Sequence, residues 1–550
     1  MRRLNDCGPI GGSKPIAYWV VFAVVPKERD YRYVRPRPKS RPGILSVMRK
    51  KIRCAFVLLA SLPVCAADLR SSVEGYVATR QTEIVAELVS LLSIPNVAAD
   101  RPSIRRNAVH LRQMLERRGL TAELLETQGN PLVYGERKVA GAARTVLFYM
   151  HYDGQPVDPS RWKQPSPFSP ILRDGRMEDG AREIANLAGQ KKFDDNWRVY
   201  ARSASDDKSP IVALCAALDA LKAAGREPTS NIRVILDGEE EAGSPSLTPA
   251  IGRYREKLQA NLALILDGPL HPSGRPTLTF GARGVLSMEL TVYGPKFALH
   301  SGHYGNWVPN PAIRLAQLLA SMKDEQGRVL VEGFYDGVAI GESDRKILRA
   351  VPDDAEALKK LIGVARFDAV GESLQEAIQY PSLNIRGLRS GYVGAEARTI
   401  IPSEATAAID VRLVKETPAA RMREKVLTHI RKQGFHVVEA EPDDATRLKH
   451  PKLVGVNQRR GDSEAYRTEM SRPESLLVAQ ALEKMWGQPP VRLRTSGGTV
   501  PLQPFIDALG FPAIGVPTVN FDNNQHSENE NLRLGHFFRA IVTMAALLTL

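Results

Sequence analysis

The sequence predicts an α/β protein, a mostly parallel mixed sheet flanked by helices and interrupted by an inserted α+β domain. Three observations carry this. Short, almost continuously apolar runs, "TVLFYM" (145–150), "IRVIL" (232–236) and "LALIL" (262–266), alternate with helix-length periodic stretches, as expected for strands covered on both faces. Each run stops at a histidine or an aspartate, where ligands gather in open α/β sheets. The middle of the chain changes character: "GVLSMELTVYG" (284–294) and "ATAAIDVRLV" (405–414) alternate apolar and polar residues, the pattern of strands with one covered and one open face.

In chain order, residues 1–47 are rich in Arg and Pro and are expected to be a non-native upstream extension. From Met48, "MRKKIRCAFVLLASLPVCAAD" joins a cationic stretch, a short apolar core and small residues. This predicts a signal peptide over 48–66 and a periplasmic or secreted protein. The apolar core is too short for a stable membrane span. Residues 1–66 hold 14 Lys or Arg against Asp6, Glu28 and Asp30, and so carry +11 of the +14 net charge. The remainder is close to neutral, which removes the case for a nucleic-acid partner. Cys7, Cys54 and Cys65 fall in the same leader, leaving Cys215 without a disulfide partner. It lies in the apolar helical pattern "SPIVALCAALDALKAAG", where a thiol serves as packing.

The main domain is predicted in two pieces, 67–282 and 461–550, around an insertion at 283–460. Helical periodicity appears at 71–93, 105–119, 209–224, 311–322, 473–486 and 531–548, often closed by Gly, as at Gly119, Gly225 and Gly487. A further strand, "AIGV" (513–516), precedes a loop carrying His526. The polar segment 177–200 receives no assignment.

The sharpest feature is "LDGEEEAGS" (236–244), four acidic side chains within five residues directly after a buried-looking strand. Adjacent carboxylates repel, so such a cluster needs full solvation or a cation. The other strand ends decide in favour of a cation, because "HYDG", "DGP" and the late "NNQHSENE" bring further His, Asp and Glu residues. His151 and Asp153 are two apart and share a side of an extended chain. The carboxylate can then accept one imidazole proton and leave the other nitrogen to a metal. Asp206 and Asp207 stand just ahead of a helix, whose N-terminus tolerates negative charge. A set of His and carboxylates without thiolate suits zinc, or manganese or cobalt in its place, and two ions sharing a carboxylate accommodate this many ligands.

These segments, in this order, resemble the zinc metallopeptidase superfamily of aminoacylase, carboxypeptidase G, succinyl-diaminopimelate desuccinylase and carnosinase-type dipeptidases. The resemblance runs from about residue 74 to 550. It implies that His151, Asp206, Glu241, Asp267 and His526 are the metal ligands, with Asp206 bridging two zinc ions. It further implies that Asp153 orients His151 and that Glu240 is the general base. His300, in "LHSGHYGNWVPNP", is implied to stabilise the tetrahedral intermediate, often across a subunit interface. Arg412 is implied to hold a substrate carboxylate, beside a backbone loop of Gly497, Gly498 and Thr499. The insertion becomes a lid and dimerisation domain, and a homodimer is expected. The chain departs from the family pattern at Ala201, Ser203 and Ser209, where glycines are usual, and at Gly154, where an apolar residue is usual.

The expected activity is therefore hydrolysis of the amide bond of a small peptide, of the dipeptidase or carboxypeptidase type. N-acyl amino acid deacylation on the same site is the alternative within the class. A non-catalytic amino-acid- or metal-binding relative is the alternative outside it.

Overall fold

The computed structural model describes residues 66–458, 462–500 and 502–550. The upstream extension at 1–47 and nearly all of the segment read as a leader lie outside the described residues. Among the described residues no helix is long and apolar enough to cross a membrane.

An eight-stranded mixed sheet forms the centre. Its spatial order is Thr121–Leu125, Leu132–Arg137, Asn231–Asp237, Thr145–His151, Leu262–Ile265, Ala513–Gly515, Thr277–Thr279 and Val491–Leu493. The four middle strands run parallel, and the first two are joined to them antiparallel. The apolar runs are continuous because both faces are covered. Val146, Phe148 and Met150 enter one core with the helices Ala66–Leu92, Arg101–Glu116, Lys208–Ala223 and Leu534–Leu548. Leu147 and Tyr149 enter another with Leu247–Leu258 and Gln503–Leu509. Phe148 is fully buried, and its truncation to Ala would cost about 3–5 kcal/mol. Cys215 is buried in the helix Lys208–Ala223, and burial pushes its thiol up to about 12, as suits packing rather than reactivity.

A second sheet, in the order Ser382–Arg389, Glu404–Leu413, Gly284–Tyr293, Leu453–Gln458 and His436–Val438, has its own apolar core. Leu286, Met288, Leu290 and Val292 alternate along one strand toward Leu315, Leu318, Met422 and Val426 on the helices Pro311–Ala320 and Ala419–Lys432. This is the alternation read in "GVLSMELTVYG".

A third, four-stranded sheet joins Asn531–Arg533, Arg198–Tyr200, Ile171–Arg173 and Glu183–Ile184. It accounts for part of the unassigned stretch 177–200. It also corrects the helix expected from 531: residues 531–533 pair antiparallel with Arg198–Tyr200, and the helix begins at Leu534. Polar residues that bond outward to a neighbouring strand masked that boundary.

Candidate metal centre

The carboxyl ends of the central strands converge on one acidic cluster. His151 is the last residue of Thr145–His151 and is fully buried. Its Nδ1 faces Asp153, 3.2 Å from the carbonyl oxygen and 3.4 Å from Oδ1, while Nε2 lies 2.9 Å from Asp206 Oδ1. Asp206 Oδ2 lies 3.2 Å from His526 Nε2, and the same nitrogen is 3.4 Å from Glu241 Oε2. His151, Asp206 and Glu241 present ligand atoms within 4.8 Å of one another. Gln155 Nε2 donates to Glu241 Oε2 (2.5 Å), and Gln525 Nε2 reaches Asp206 Oδ2 (3.4 Å).

Asp153 has a second task that the sequence did not disclose. Its two carboxylate oxygens accept the backbone N–H groups of Glu240 and Glu241, each at 3.1 Å. One buried carboxylate therefore fixes both the imidazole ring and the turn carrying the acidic pair. Glu239 is turned away from this pair, accepting from Asn130 N (2.8 Å). Asp237 is held by Tyr149 Oη and Ser244 Oγ.

The electrostatics are those of a site that requires positive charge. Burial, with Asp206 adding, pushes Glu241 up to about 7 and Asp267 up to about 6. Burial, reinforced by Asp267 and Glu241, drives Glu240 well above the carboxylate range, and burial does the same to Asp207. Burial opposes charge on His151, but its hydrogen bonds to Asp153 and Asp206 outweigh it and hold the ring well above its ordinary value. The contact with Asp206 raises His526 to about 9. Asp207 Oδ1 is buried without a hydrogen-bond partner. A hard or borderline divalent cation, offered only nitrogen and oxygen donors, would relieve this repulsion. The residues present fit such an ion.

The remaining candidates form a separate group. Arg412 Nη1 donates to Thr499 Oγ1 (2.9 Å), with its Nε 3.5 Å from Asp410. Gly497 and Gly498 are exposed, and Arg283 N donates to the carbonyls of Ser496 (3.3 Å) and Gly498 (3.1 Å). Arg283, whose guanidinium donates to Tyr380 O and Ser382 Oγ, was not singled out in the sequence; its signal was the lone arginine of "FGARGVL" at the junction of the two sheets. His300 is exposed beside His303, ring centroids 4.7 Å apart, and accepts from Gly302 N at Nδ1 (3.0 Å). Its hydrogen bond and its ring contact stay within this loop, apart from the cluster.

The departures from the family pattern explain one another. A Cβ on Gly154 would lie 2.3 Å from Ser203 Oγ and 3.2 Å from the Arg202 side chain. Ser203, at φ 61°, thus occupies the space that a larger residue 154 would need.

Comparison with known proteins places this geometry. A profile of Peptidase family M20/M25/M40 matches residues 186–550. The Cys-Gly metallodipeptidase dug1 of Schizosaccharomyces pombe is 27% identical over 84% of this chain and 94% of its own length. The Beta-Ala-His dipeptidase of Homo sapiens is 24% identical over 76% of each chain. Among solved structures, the M20 family metallo-carboxypeptidase Sso-CP2 of Sulfolobus solfataricus superposes with a TM-score of 0.68 at 31% identity, covering 85% of this chain and 98% of that one. The expectation of a periplasmic or secreted protein is corrected by these matches. The matched Cys-Gly metallodipeptidases lend that expectation no support, and the segment 48–66 on which it rested lies, all but Ala66, outside the described residues. The acidic cluster at the strand ends, the second sheet and the matched profile agree: the chain belongs to Peptidase family M20/M25/M40 and is a hydrolase of peptide bonds.

Proposed function

We propose that the protein is a two-zinc metallodipeptidase. The observation that carries this reading is the convergence of His151, Asp206 and Glu241, with His526 within 3.4 Å of two of them, in a pocket whose carboxylates repel one another. His151, Asp206, Glu241, Asp267 and His526 are the residues that would hold the ions, with Asp206 presenting one oxygen to each histidine and Asp267 sharing their electrostatic environment. Bound divalent ions polarise a substrate carbonyl and lower the pKa of water.

The chain's own residues do the rest. Asp153 holds the proton on His151 Nδ1 and fixes the backbone of Glu240. Glu240 takes a proton from the attacking water and passes it to the leaving amine. His300, which lies apart from the cluster and whose Nδ1 accepts from Gly302, leaves Nε2 to donate a hydrogen bond to the developing oxyanion from across the dimer interface. Arg412, positioned by Thr499, pairs with the substrate carboxylate.

The domain division at 283 and 460 belongs to the same reading, with the insertion as lid. A homodimer through this lid is supported by its exposed apolar side chains, Phe297, Trp307, Leu388 and Val393. The names of the similar dipeptidases make Cys-Gly and β-Ala-His the first substrates to try. A panel of these and other dipeptides against N-acetyl and N-succinyl amino acids tests the proposal. Turnover confined to the acylated amino acids would replace it with a deacylase.

A further inference from the structure

We infer that Glu530 is a positioning residue that clamps the loop of Asp206 to the loop of His526 and so sets the metal affinity of the site. This rests on the metal-centre reading above and goes beyond it. Glu530 is fully buried and lies four residues after His526. Its Oε1 accepts from Ser205 N (2.9 Å), Ser205 Oγ (2.8 Å) and Asp206 N (2.9 Å). Its Oε2 accepts from Ser203 N (2.8 Å) and Arg202 Nη1 (2.9 Å). All five donors come from residues 202–206, the segment that delivers Asp206.

The clamp closes in the other direction as well. Arg202 Nη2 donates to Ser527 O (3.1 Å), directly after His526, and its guanidinium lies over the Trp162 ring at 5.2 Å. Ala201 N donates to Glu530 O (3.2 Å), continuing the strand pairing of Tyr200 with Asn531. The two ligands meet at 3.2 Å only if these loops are held in register. A carboxylate is the one side chain of this size that accepts on both oxygens, and here every facing group is a donor. Glutamine keeps the shape but turns an NH2 toward either Ser203 and Arg202 or Ser205 and Asp206, setting donor against donor. A ligand's supporting shell governs affinity by about 10- to 100-fold when it is broken.

The test uses the full chain, stripped with chelator and titrated with cobalt(II) alone, following both the dissociation constant and the visible absorption of the bound ion. Thermal unfolding checks the fold of each protein. Glu530→Gln is expected to remain folded, to weaken cobalt binding about 10- to 100-fold and to change the visible spectrum. Wild-type affinity with an unchanged spectrum in that variant, while wild type binds cobalt, overturns the clamp and leaves the metal centre standing. Failure of the wild type to bind cobalt overturns both. Should Glu530→Gln not fold, Ser205→Ala, which removes one of the five donors, decides: a weakening of a few-fold supports the clamp, and unchanged affinity refutes it.

Discussion

Replacing Asp153 with Asn probes how one buried carboxylate organises the whole site. In the native protein Asp153 is fully buried, accepts two backbone N–H groups at 3.1 Å and stands 3.4 Å from His151 Nδ1. Asparagine retains a single acceptor oxygen, so one of the N–H groups of Glu240 or Glu241 faces an NH2 instead. Leaving a buried donor unsatisfied costs about 1–3 kcal/mol, which is the expected loss of stability. His151 also loses the charge that fixes its tautomer, and zinc affinity should fall about 10- to 100-fold. With Glu240 displaced, turnover at saturating zinc should fall by about 10²-fold or more, the lower end of what a positioned base supplies. Urea unfolding, zinc titration against a competing chelator and kcat at saturating metal measure these three separately. Unchanged zinc affinity and kcat in a folded Asp153→Asn protein would refute the assigned role.

Other perturbations have equally definite outcomes. Glu240→Ala should abolish turnover, by about 10²- to 10⁴-fold, with metal content preserved; elemental analysis beside the activity assay shows whether base and ligand have been told apart. Gly154→Ala should destabilise the protein by about 1–3 kcal/mol because its Cβ meets Ser203 Oγ at 2.3 Å, and adding Ser203→Gly should recover part of that loss in a double-mutant cycle. His536 is buried beside Arg539 and Arg533, with Asp522 and Arg198 nearby, and burial chiefly lowers it to about 3. An imidazole depressed in the folded state contributes stability that is complete above its ordinary value near 6.5 and is lost as pH falls toward 3. That amounts to about 2 kcal/mol between pH 7.5 and pH 5, so His536→Gln should flatten the urea-midpoint curve over this window relative to wild type.

What the sequence revealed divides along physical lines. Strands covered on both faces, such as "TVLFYM", announce themselves through unbroken apolar runs; His151 and Glu241 stood out because each ends or follows such a run, and Asp206 because it stands just ahead of a helix. Thr121–Leu125 at the sheet edge and Leu132–Arg137 beside it, and the three-residue strands Thr277–Thr279 and Val491–Leu493, are too short or too mixed in polarity to stand out. The paired loops 202–206 and 526–530 were opaque for a different reason. Glu530 works through backbone N–H groups more than 300 residues away in the chain, and no local pattern encodes such a partner. The coupling between Gly154 and Ser203 was visible only as two separate oddities until their side-chain volumes were placed together. His300 and Arg412 were read from resemblance alone, and the structure puts Arg412 against Thr499 while His300 stays within its own exposed loop.

The first measurement to make is the metal content per chain of the purified protein, prepared without chelator. A cocatalytic centre sharing Asp206 should retain about two zinc, manganese or cobalt ions per chain. A chain that holds no divalent metal even after incubation with zinc would leave its buried carboxylates without a counter-charge and would contradict the metallopeptidase mechanism.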